Sequence, residues 1–175
     1  MSVFITTCIV WLLLIVVIQD FRYREISWFL IPLLIIVFVS KGLITISPLE
    51  LVRFSFINCA FVGIQLALLS AYVSLKNKRL IFIVNSHLGL GDILFFIVIC
   101  IAFSPANFIV FYVSSLVFAL IVFVIYKLIV KNNNEHIPLA GMIALLLVIV
   151  ILLKLLLPQL NFYDDSFIVS ILTND

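Results

Sequence analysis

The chain has 175 residues, of which 66% are hydrophobic and only 10% are charged, and its mean hydropathy is +1.44. A soluble domain of this length has too little polar surface to cover so many apolar side chains, so the composition predicts a membrane protein. Ten Lys and Arg residues against eight Asp and Glu residues give a formal charge of +2. This small charge, without a basic stripe along the sequence, excludes nucleic-acid binding.

The apolar residues fall into six runs separated by charged or Pro- and Asn-rich breaks. A helix that crosses a bilayer needs about 20 mostly apolar residues. The sequence therefore predicts an all-α, polytopic membrane protein with six transmembrane helices in a single domain over residues 1–175. In chain order the predicted spans are 3–19, 28–46, 54–75, 81–104, 107–130 and 137–157, followed by a short acidic C-terminal tail over 158–175.

The first apolar run differs from a secretory signal peptide. No Lys or Arg precedes Arg22, so the positively charged leader region of a signal peptide is missing, and no small-residue cleavage site follows the run. We therefore expect this run to stay in the protein as its first helix.

Positive charges are distributed unequally between the two sides of the predicted membrane topology. The first, third and fifth connections, with their flanks, hold seven Lys and Arg residues, whereas the opposite side holds three. The seven are Arg22, Arg24, Lys76, Lys78, Arg79, Lys127 and Lys131, and the three are Lys41, Arg53 and Lys154. Because positive residues stay in the cytoplasm, the odd-numbered connections are predicted there and both termini on the non-cytoplasmic side.

Two of the eight acidic residues lie within predicted spans or at their edges. Asp20 follows the first span at its cytoplasmic edge, and Asp92 interrupts the fourth within Gly89-Leu90-Gly91-Asp92. A charged side chain in a membrane span costs about 2.5 to 3.5 kcal/mol on insertion scales, so an acid that is kept there indicates function. An aqueous pocket is expected around Asp92, because the two glycines before it favour an interrupted helix and only about 18 Å of helix follows it.

Topology places these two acids on the same side of the membrane, although 72 positions separate them. Two carboxylates about 3 Å apart cannot both ionise easily, so they share one proton and titrate as a pair. Such a pair is suited to peptide hydrolysis, in which the ionised member activates a water and the protonated member supports the developing oxyanion. Asp20 and Asp92 are thus the predicted catalytic residues, with no cofactor implied.

At these residues the chain resembles the type IV prepilin peptidase family of GxGD membrane aspartic proteases. The resemblance rests on Asp20 with the basic residues and Ile26 after it, on the Gly89–Asp92 motif, and on Ile-Pro-Leu-Ala-Gly over 137–141. It implies cleavage of the short basic leader of a membrane-inserted prepilin-like protein at the cytoplasmic face of the bacterial inner membrane. Asp20 and Asp92 each match a catalytic position of the family.

Three differences from the family's pattern bear on the expected activity. Ser27 stands where the family often has Pro, and Ile93 and Leu94 follow Asp92 where it often has Lys. The chain also starts directly with the first helix, without the cysteine-rich extension that is associated with N-methylation in larger members. The resemblance then implies cleavage without methyl transfer.

Other residues near the predicted site have weaker signals. His87 could tune the acid pair, and Pro138 and Gly141 could contact substrate or simply start and pack the last helix. Asn58 and Gln65 lie seven positions apart on one helical face and predict hydrogen bonds between helices. No metal site is indicated, since the two histidines are 49 positions apart and the three cysteines stand singly in apolar runs.

Two other functions remain open at the level of sequence. The chain could be a small proton or cation transporter or channel component that uses the two membrane acids. It could also be an inactive scaffold subunit of a secretion or pilus assembly, in which Asp20 carries no function.

Overall fold

The structure is a computed structural model that describes residues 2–78, 89–130, 138–157 and 161–165. Within these ranges all regular structure is helical, which confirms the predicted all-α fold. The six helices are α1 (Ser2–Tyr23), α2 (Leu30–Thr45), α3 (Pro48–Asn77), α4 (Leu90–Cys100), α5 (Pro105–Val130) and α6 (Leu139–Leu156).

Three of these helices are long and apolar enough to cross a membrane. They are α1, α3 and α5, with apolar stretches over Val3–Tyr23, Pro48–Asn77 and Pro105–Leu128. Helices α2, α4 and α6 are also apolar but shorter. The 11 residues of α4 rise about 16 Å, well short of the roughly 30 Å hydrocarbon core.

Large apolar side chains cover much of the outer surface of the bundle. Phe56 and Leu68 of α3 are 74% and 66% exposed, and Leu120 of α5 is 60% exposed. Soluble monomers rarely expose such continuous apolar patches, whereas a helix that faces lipid does so along its length. The exposed faces of α3 and α5 are therefore suited to an apolar surrounding.

The core of the bundle forms where α1 packs against α6 and α2, and where α4 packs against α2, α3 and α6. Fully buried side chains from four helices meet there: Leu13 of α1, Leu34 of α2, Phe95 of α4 and Leu147 of α6. Through these contacts the end of α1, the start of α4 and the start of α6 are brought to one end of the bundle.

The observed ends of α1 and α3 differ from the sequence-based boundaries. Helix α1 continues to Tyr23 and ends at Arg24, whose φ of 56° is left-handed and whose backbone N–H donates to the Asp20 carbonyl (3.0 Å). Asp20 consequently lies in the last turn of α1. Helix α3 begins at Pro48, six residues earlier than predicted, because Ser47 and Glu50 form a reciprocal capping box.

The segment 161–165, which belongs to the predicted acidic tail, folds back on the turn between α4 and α5. Asp165 accepts hydrogen bonds from the Ser104 hydroxyl and from the Asn107 backbone N–H in the first turn of α5. The Phe162 carbonyl accepts from Ser104 N (2.8 Å), and the buried Tyr163 donates its hydroxyl to the Ile101 carbonyl (3.1 Å). Sequence pattern missed this because each contact joins residues more than 50 positions apart.

Candidate active site

Asp20 is held at the end of α1 against the start of α6. Its side chain is only 6% exposed, and its Oδ2 atom accepts a short hydrogen bond from the backbone N–H of Gly141. Because a buried carboxylate without donors is costly, this bond is what makes the position tolerable. Asp20 is thus fixed toward α6 and away from the apolar exterior.

Asp92 is the third residue of α4 and reaches the same place from the opposite side. Its Oδ2 atom accepts from the backbone N–H of Gly89 (3.2 Å), and its Oδ1 atom accepts from the backbone N–H of Ala140 (3.0 Å). The first bond is an ordinary cap contact at the start of a helix. The second joins α4 to α6 and has no role in capping α4.

The two aspartates therefore bind successive amides of one helix. Neighbouring amide nitrogens in a helix lie about 3 Å apart, and each of these two is within hydrogen-bonding distance of one carboxylate. Asp20 Oδ2 and Asp92 Oδ1 consequently lie within about 9 Å of each other. The structure therefore brings both acids to the start of α6, while the approach to about 3 Å with a shared proton stays a prediction.

The N-terminus of α6 is chemically suited to hold both carboxylates. The first four N–H groups of a helix have no partner within the helix, and the helix dipole places partial positive charge at this end. Pro138 precedes α6 and has no N–H of its own, while its carbonyl accepts from Met142 N (3.1 Å). Pro138, predicted in the first turn, lies one residue before it and starts α6 so that the next amides face the acids.

Gly141 lets α1 approach α6 closely enough for this arrangement. A Cβ atom at position 141 would lie 2.9 Å from Asp20 Oδ2 and 3.0 Å from both Asp20 Cβ and Phe21 Cδ2. Contacts this short force a neighbour to move, and two of the three atoms belong to the aspartate itself. The predicted positioning or packing role of Gly141 is therefore a matter of space at the Asp20 carboxylate.

Gly89 and Gly91, which were expected to interrupt the fourth helix, have ordinary backbone angles. Neither has a positive φ, and Gly89 has an extended conformation (φ −67°, ψ 146°) that any residue can adopt. Gly91 lies inside the first turn of α4, where a Cβ atom would be 3.4 Å from Ile26 Cδ1, an ordinary contact. The interruption of the helix thus falls before Leu90, and Gly89 contributes its N–H to Asp92.

The connection between α1 and α2 closes this end of the bundle. Gln19 Oε1 accepts from the Ser27 backbone N–H (2.9 Å), and this bond bends residues 24–27 back toward α1. Ile26 then lies against Gly91 at the start of α4. Arg24 is close enough to attract the Asp20 carboxylate electrostatically. Arg24 and Ile26 therefore belong to the surroundings of the acid pair.

The remaining sequence predictions near the site have mixed outcomes. Asn58 of α3 donates to the carbonyls of Cys100, the last residue of α4, and Phe103 in the turn after it (both 2.9 Å), which confirms the predicted bonding between helices for this residue. Gln65 Oε1 is buried without a hydrogen-bond partner, so the same prediction is wrong for that atom. His87 lies outside the described residues.

Sequence reasoning missed the backbone amides of Ala140 and Gly141 as the groups that hold the acids. The side chains of these two residues predict close packing alone, because they are small. The available signal was Pro138 itself, two and three positions before Ala140 and Gly141. A proline that starts a helix is followed by N–H groups without partners in the helix.

The arrangement offers a protonatable carboxylate pair at a helix N-terminus, on the same side of the bundle as the α1–α2 connection. In the ranges that the structure describes, no group of three His, Cys, Asp or Glu residues is placed to hold a metal ion. Comparison with protein-family models, with curated proteins and with solved structures finds no match to this chain. The function is therefore inferred from the geometry of the acids themselves.

Proposed function

We propose that the chain is a membrane aspartic endopeptidase, similar to prepilin peptidases, with Asp20 and Asp92 as its catalytic pair. The observation that carries the proposal is the binding of these two carboxylates to the successive amides of Ala140 and Gly141. An ordinary helix cap needs only one carboxylate, and two acids drawn from helices far apart in sequence are costly to place together in an apolar bundle. A pair that shares a proton gives a chemical reason for the cost.

Hydrolysis at this pair follows the general acid and base chemistry of two carboxylates. The ionised aspartate takes a proton from a water molecule, and the water oxygen attacks the carbonyl carbon of the scissile peptide. The protonated aspartate donates its proton to the carbonyl oxygen as the tetrahedral intermediate forms. Breakdown of the intermediate then transfers a proton to the leaving amine and releases a new carboxyl end.

The helix amides have a positioning role in this mechanism. The Gly141 amide holds one oxygen of Asp20 and leaves the other for water or substrate, while Asp92 Oδ2, which accepts from the Gly89 N–H, keeps a further lone pair. Fixed donors of this kind keep the acids in reacting geometry without reorganisation during the reaction. The positive end of the α6 dipole also offsets the negative charge that the ionised aspartate carries.

The proposed substrate is a membrane-inserted prepilin-like precursor with a short basic leader. In the proposed topology all six helices lie in the inner membrane, both termini are outside, and the acid pair faces the cytoplasm, where the positive residues of the odd-numbered connections lie. A basic leader would approach an acid pair by charge attraction, and the apolar helix after the leader would lie along the exposed apolar faces of the bundle. No methyl transfer is included in the proposal.

The proposal is tested by processing of a pilin-like precursor in cells that produce the wild type, Asp20→Asn or Asp92→Asn. Each substitution keeps the size of the side chain but removes the carboxyl group, so processing should be abolished while membrane insertion is unchanged. Asp164→Asn is the matched control, because it makes the same chemical change in the segment 161–165 and should leave processing intact. Continued cleavage by either catalytic variant would refute the assignment, and an ion flux that depends on both acids without any peptide product would replace it with transport.

A further inference from the structure

A second feature is a group of exposed aromatic side chains where α1 ends and α2 begins. Tyr23 is 62% exposed and Trp28 is 81% exposed, and Phe29 beside Trp28 is exposed as well. Tyrosine and tryptophan combine an apolar ring with an O–H or N–H donor, so they are enriched where a membrane meets water. Rings that stay outside the packed bundle at this place are therefore suited to an interface of that kind.

Two arginines stand among these rings. Arg22 and Arg24 are both exposed, and the guanidinium carbon of Arg22 lies 5.4 Å from the centre of the Tyr23 ring. Over residues 22–29 the two arginines outnumber the single acid, Glu25, and leave one net positive charge. Basic residues next to a membrane attract the anionic lipids of its cytoplasmic leaflet. The connection between α1 and α2 thus combines a positive charge with exposed apolar area.

The fold holds this connection beside the acid pair. The hydrogen bond between Gln19 Oε1 and the Ser27 N–H turns the chain back, and the Leu30 N–H donates to the Ser27 carbonyl (3.0 Å) as α2 begins. Ser27 consequently lies beside the last two turns of α1, which carry Asp20. The position of Trp28 along the bundle axis is therefore tied to that of Asp20.

The length of α1 relates this level to the thickness of a bilayer. Its apolar stretch begins at Val3, and Asp20 lies about 26 Å further along the helix axis, slightly less than the roughly 30 Å of the hydrocarbon core. With Val3 at the outer boundary of the core, Asp20 is just inside the inner boundary, and the connection after it enters the headgroup layer. Trp11, the other tryptophan of the chain, is exposed near the middle of the same helix and marks the bilayer centre.

We propose that this connection binds the anionic headgroup layer of the cytoplasmic leaflet and fixes the depth of the acid pair in the membrane. The interfacial surface that does so consists of Arg22, Tyr23, Arg24, Trp28 and Phe29. A free anion would meet the charge but leave the rings in water, whereas a headgroup layer accommodates both. The proposal rests on the membrane topology proposed above and is independent of peptidase activity.

The depth of the interfacial surface is measured by tryptophan fluorescence in vesicles whose lipids carry a bromine quencher either near the headgroup or near the chain end. Trp11→Phe leaves Trp28 as the single tryptophan, and Trp28→Phe leaves Trp11 as the matched reference. Trp28 should be quenched about twofold more by the shallow bromine, and Trp11 should be quenched more by the deep one. Stronger quenching of Trp28 by the deep bromine, or no quenching of Trp28 by either, would overturn the proposal.

The reference tryptophan separates this proposal from the others. If neither bromine quenches Trp11, α1 does not cross the membrane, and the topology and the interfacial surface are overturned together. The fluorescence is measured without a precursor, so a failure of the proposed peptidase activity leaves the expected quenching unchanged.

The charge of the interfacial surface is tested with brominated phosphatidylglycerol against brominated phosphatidylcholine, at equal mole fraction and in the Trp11→Phe background. One net positive charge predicts about fivefold tighter association of phosphatidylglycerol around Trp28. Arg22→Gln/Arg24→Gln should abolish this preference, and Arg53→Gln on α3 is the matched control that should leave it unchanged. Arg22→Lys/Arg24→Lys keeps both charges and should keep the preference, so its loss in a folded protein would overturn the proposal even if the Gln variant fails to fold. Equal quenching by the two lipids in the parent protein would also overturn it.

Discussion

Gly141→Ala tests the close approach of α1 to α6 by the smallest possible change. The new methyl group would lie 2.9 Å from Asp20 Oδ2 and 3.0 Å from Phe21 Cδ2, and neither the α1 backbone nor the buried carboxylate can move freely. The most direct relaxation pushes Asp20 away from the Gly141 N–H. The hydrogen bond between them would lengthen or break.

The expected size of the effect follows from the two interactions that change. Overpacking of a well-packed interface costs about 1 to 3 kcal/mol, and loss of a hydrogen bond to a charged group costs about 1.5 to 3 kcal/mol. Alanine returns less than about 1 kcal/mol through its better helix propensity. If the pair is catalytic, a displacement of about 1 Å should lower the cleavage rate roughly 100-fold.

The assay is the initial rate of precursor cleavage by purified protein in proteoliposomes, together with thermal unfolding in detergent. Gly63→Ala is the matched control, because a Cβ atom at position 63 of α3 meets nothing within 4 Å. That variant should keep the wild-type rate and be equally or slightly more stable. A Gly141→Ala protein that cleaves as fast as the wild type would refute the role given to this close contact.

Three further predictions concern contacts away from the acids. Asn58→Ala removes two hydrogen bonds from α3 to the end of α4 and the turn after it. At about 0.6 kcal/mol for each bond, it should lower the free energy of unfolding by about 1 kcal/mol, measured by thermal unfolding. Asp165→Ala removes an acceptor for a first-turn N–H of α5 and should lower the free energy of unfolding by about 1 kcal/mol in the same assay. Asp164→Ala should lower it less. Burial raises the pKa of the Tyr163 hydroxyl in the folded protein. As pH rises, the unfolded chain therefore loses this proton before the folded protein does. The free energy of unfolding should then fall above about pH 10. Tyr163→Phe should reduce that fall in melting temperature, and an unchanged pH dependence would contradict it.

The helices were largely predictable because their apolar runs are long and the breaks between them contain the few charged residues. Their ends were less predictable. The prediction from hydropathy begins the third helix at residue 54. In the structure it begins at Pro48, because Ser47 and Glu50 cap it there. Caps depend on single polar side chains and backbone angles, which an average over an apolar window does not detect.

That the two acids lie at one end of the bundle was also predictable, because charge in a membrane span is costly and the predicted topology puts both acids on one side. The backbone groups that hold the two carboxylates were not predictable. The amides of Ala140 and Gly141 carry no side-chain signal, and their use depends on where α6 begins relative to α1 and α4. The twin glycines before Asp92 pointed to backbone flexibility, but the steric requirement in the structure is at Gly141.

Contacts at the opposite end of the bundle were out of reach of the sequence. Asp165 binds Ser104 and Asn107, and Lys41 and Lys154 line one cavity, through pairings that only the tertiary fold creates. In the sequence Lys41, Lys154 and Asp165 stand in two separate predicted spans and in the predicted tail. Their convergence depends on the packing of α1 between α2 and α6.

The central claim is that Asp20 and Asp92 act as one catalytic unit, and the cleavage rate of Asp20→Asn/Asp92→Asn tests it most directly. Residues that act as a unit lose activity together, so the double variant should be no slower than either single variant. The rates are measured with one purified precursor in proteoliposomes against the wild type. The account would be contradicted if the rate reduction in the double variant equalled the product of the two single reductions. A single variant that cleaves at the wild-type rate would also contradict it.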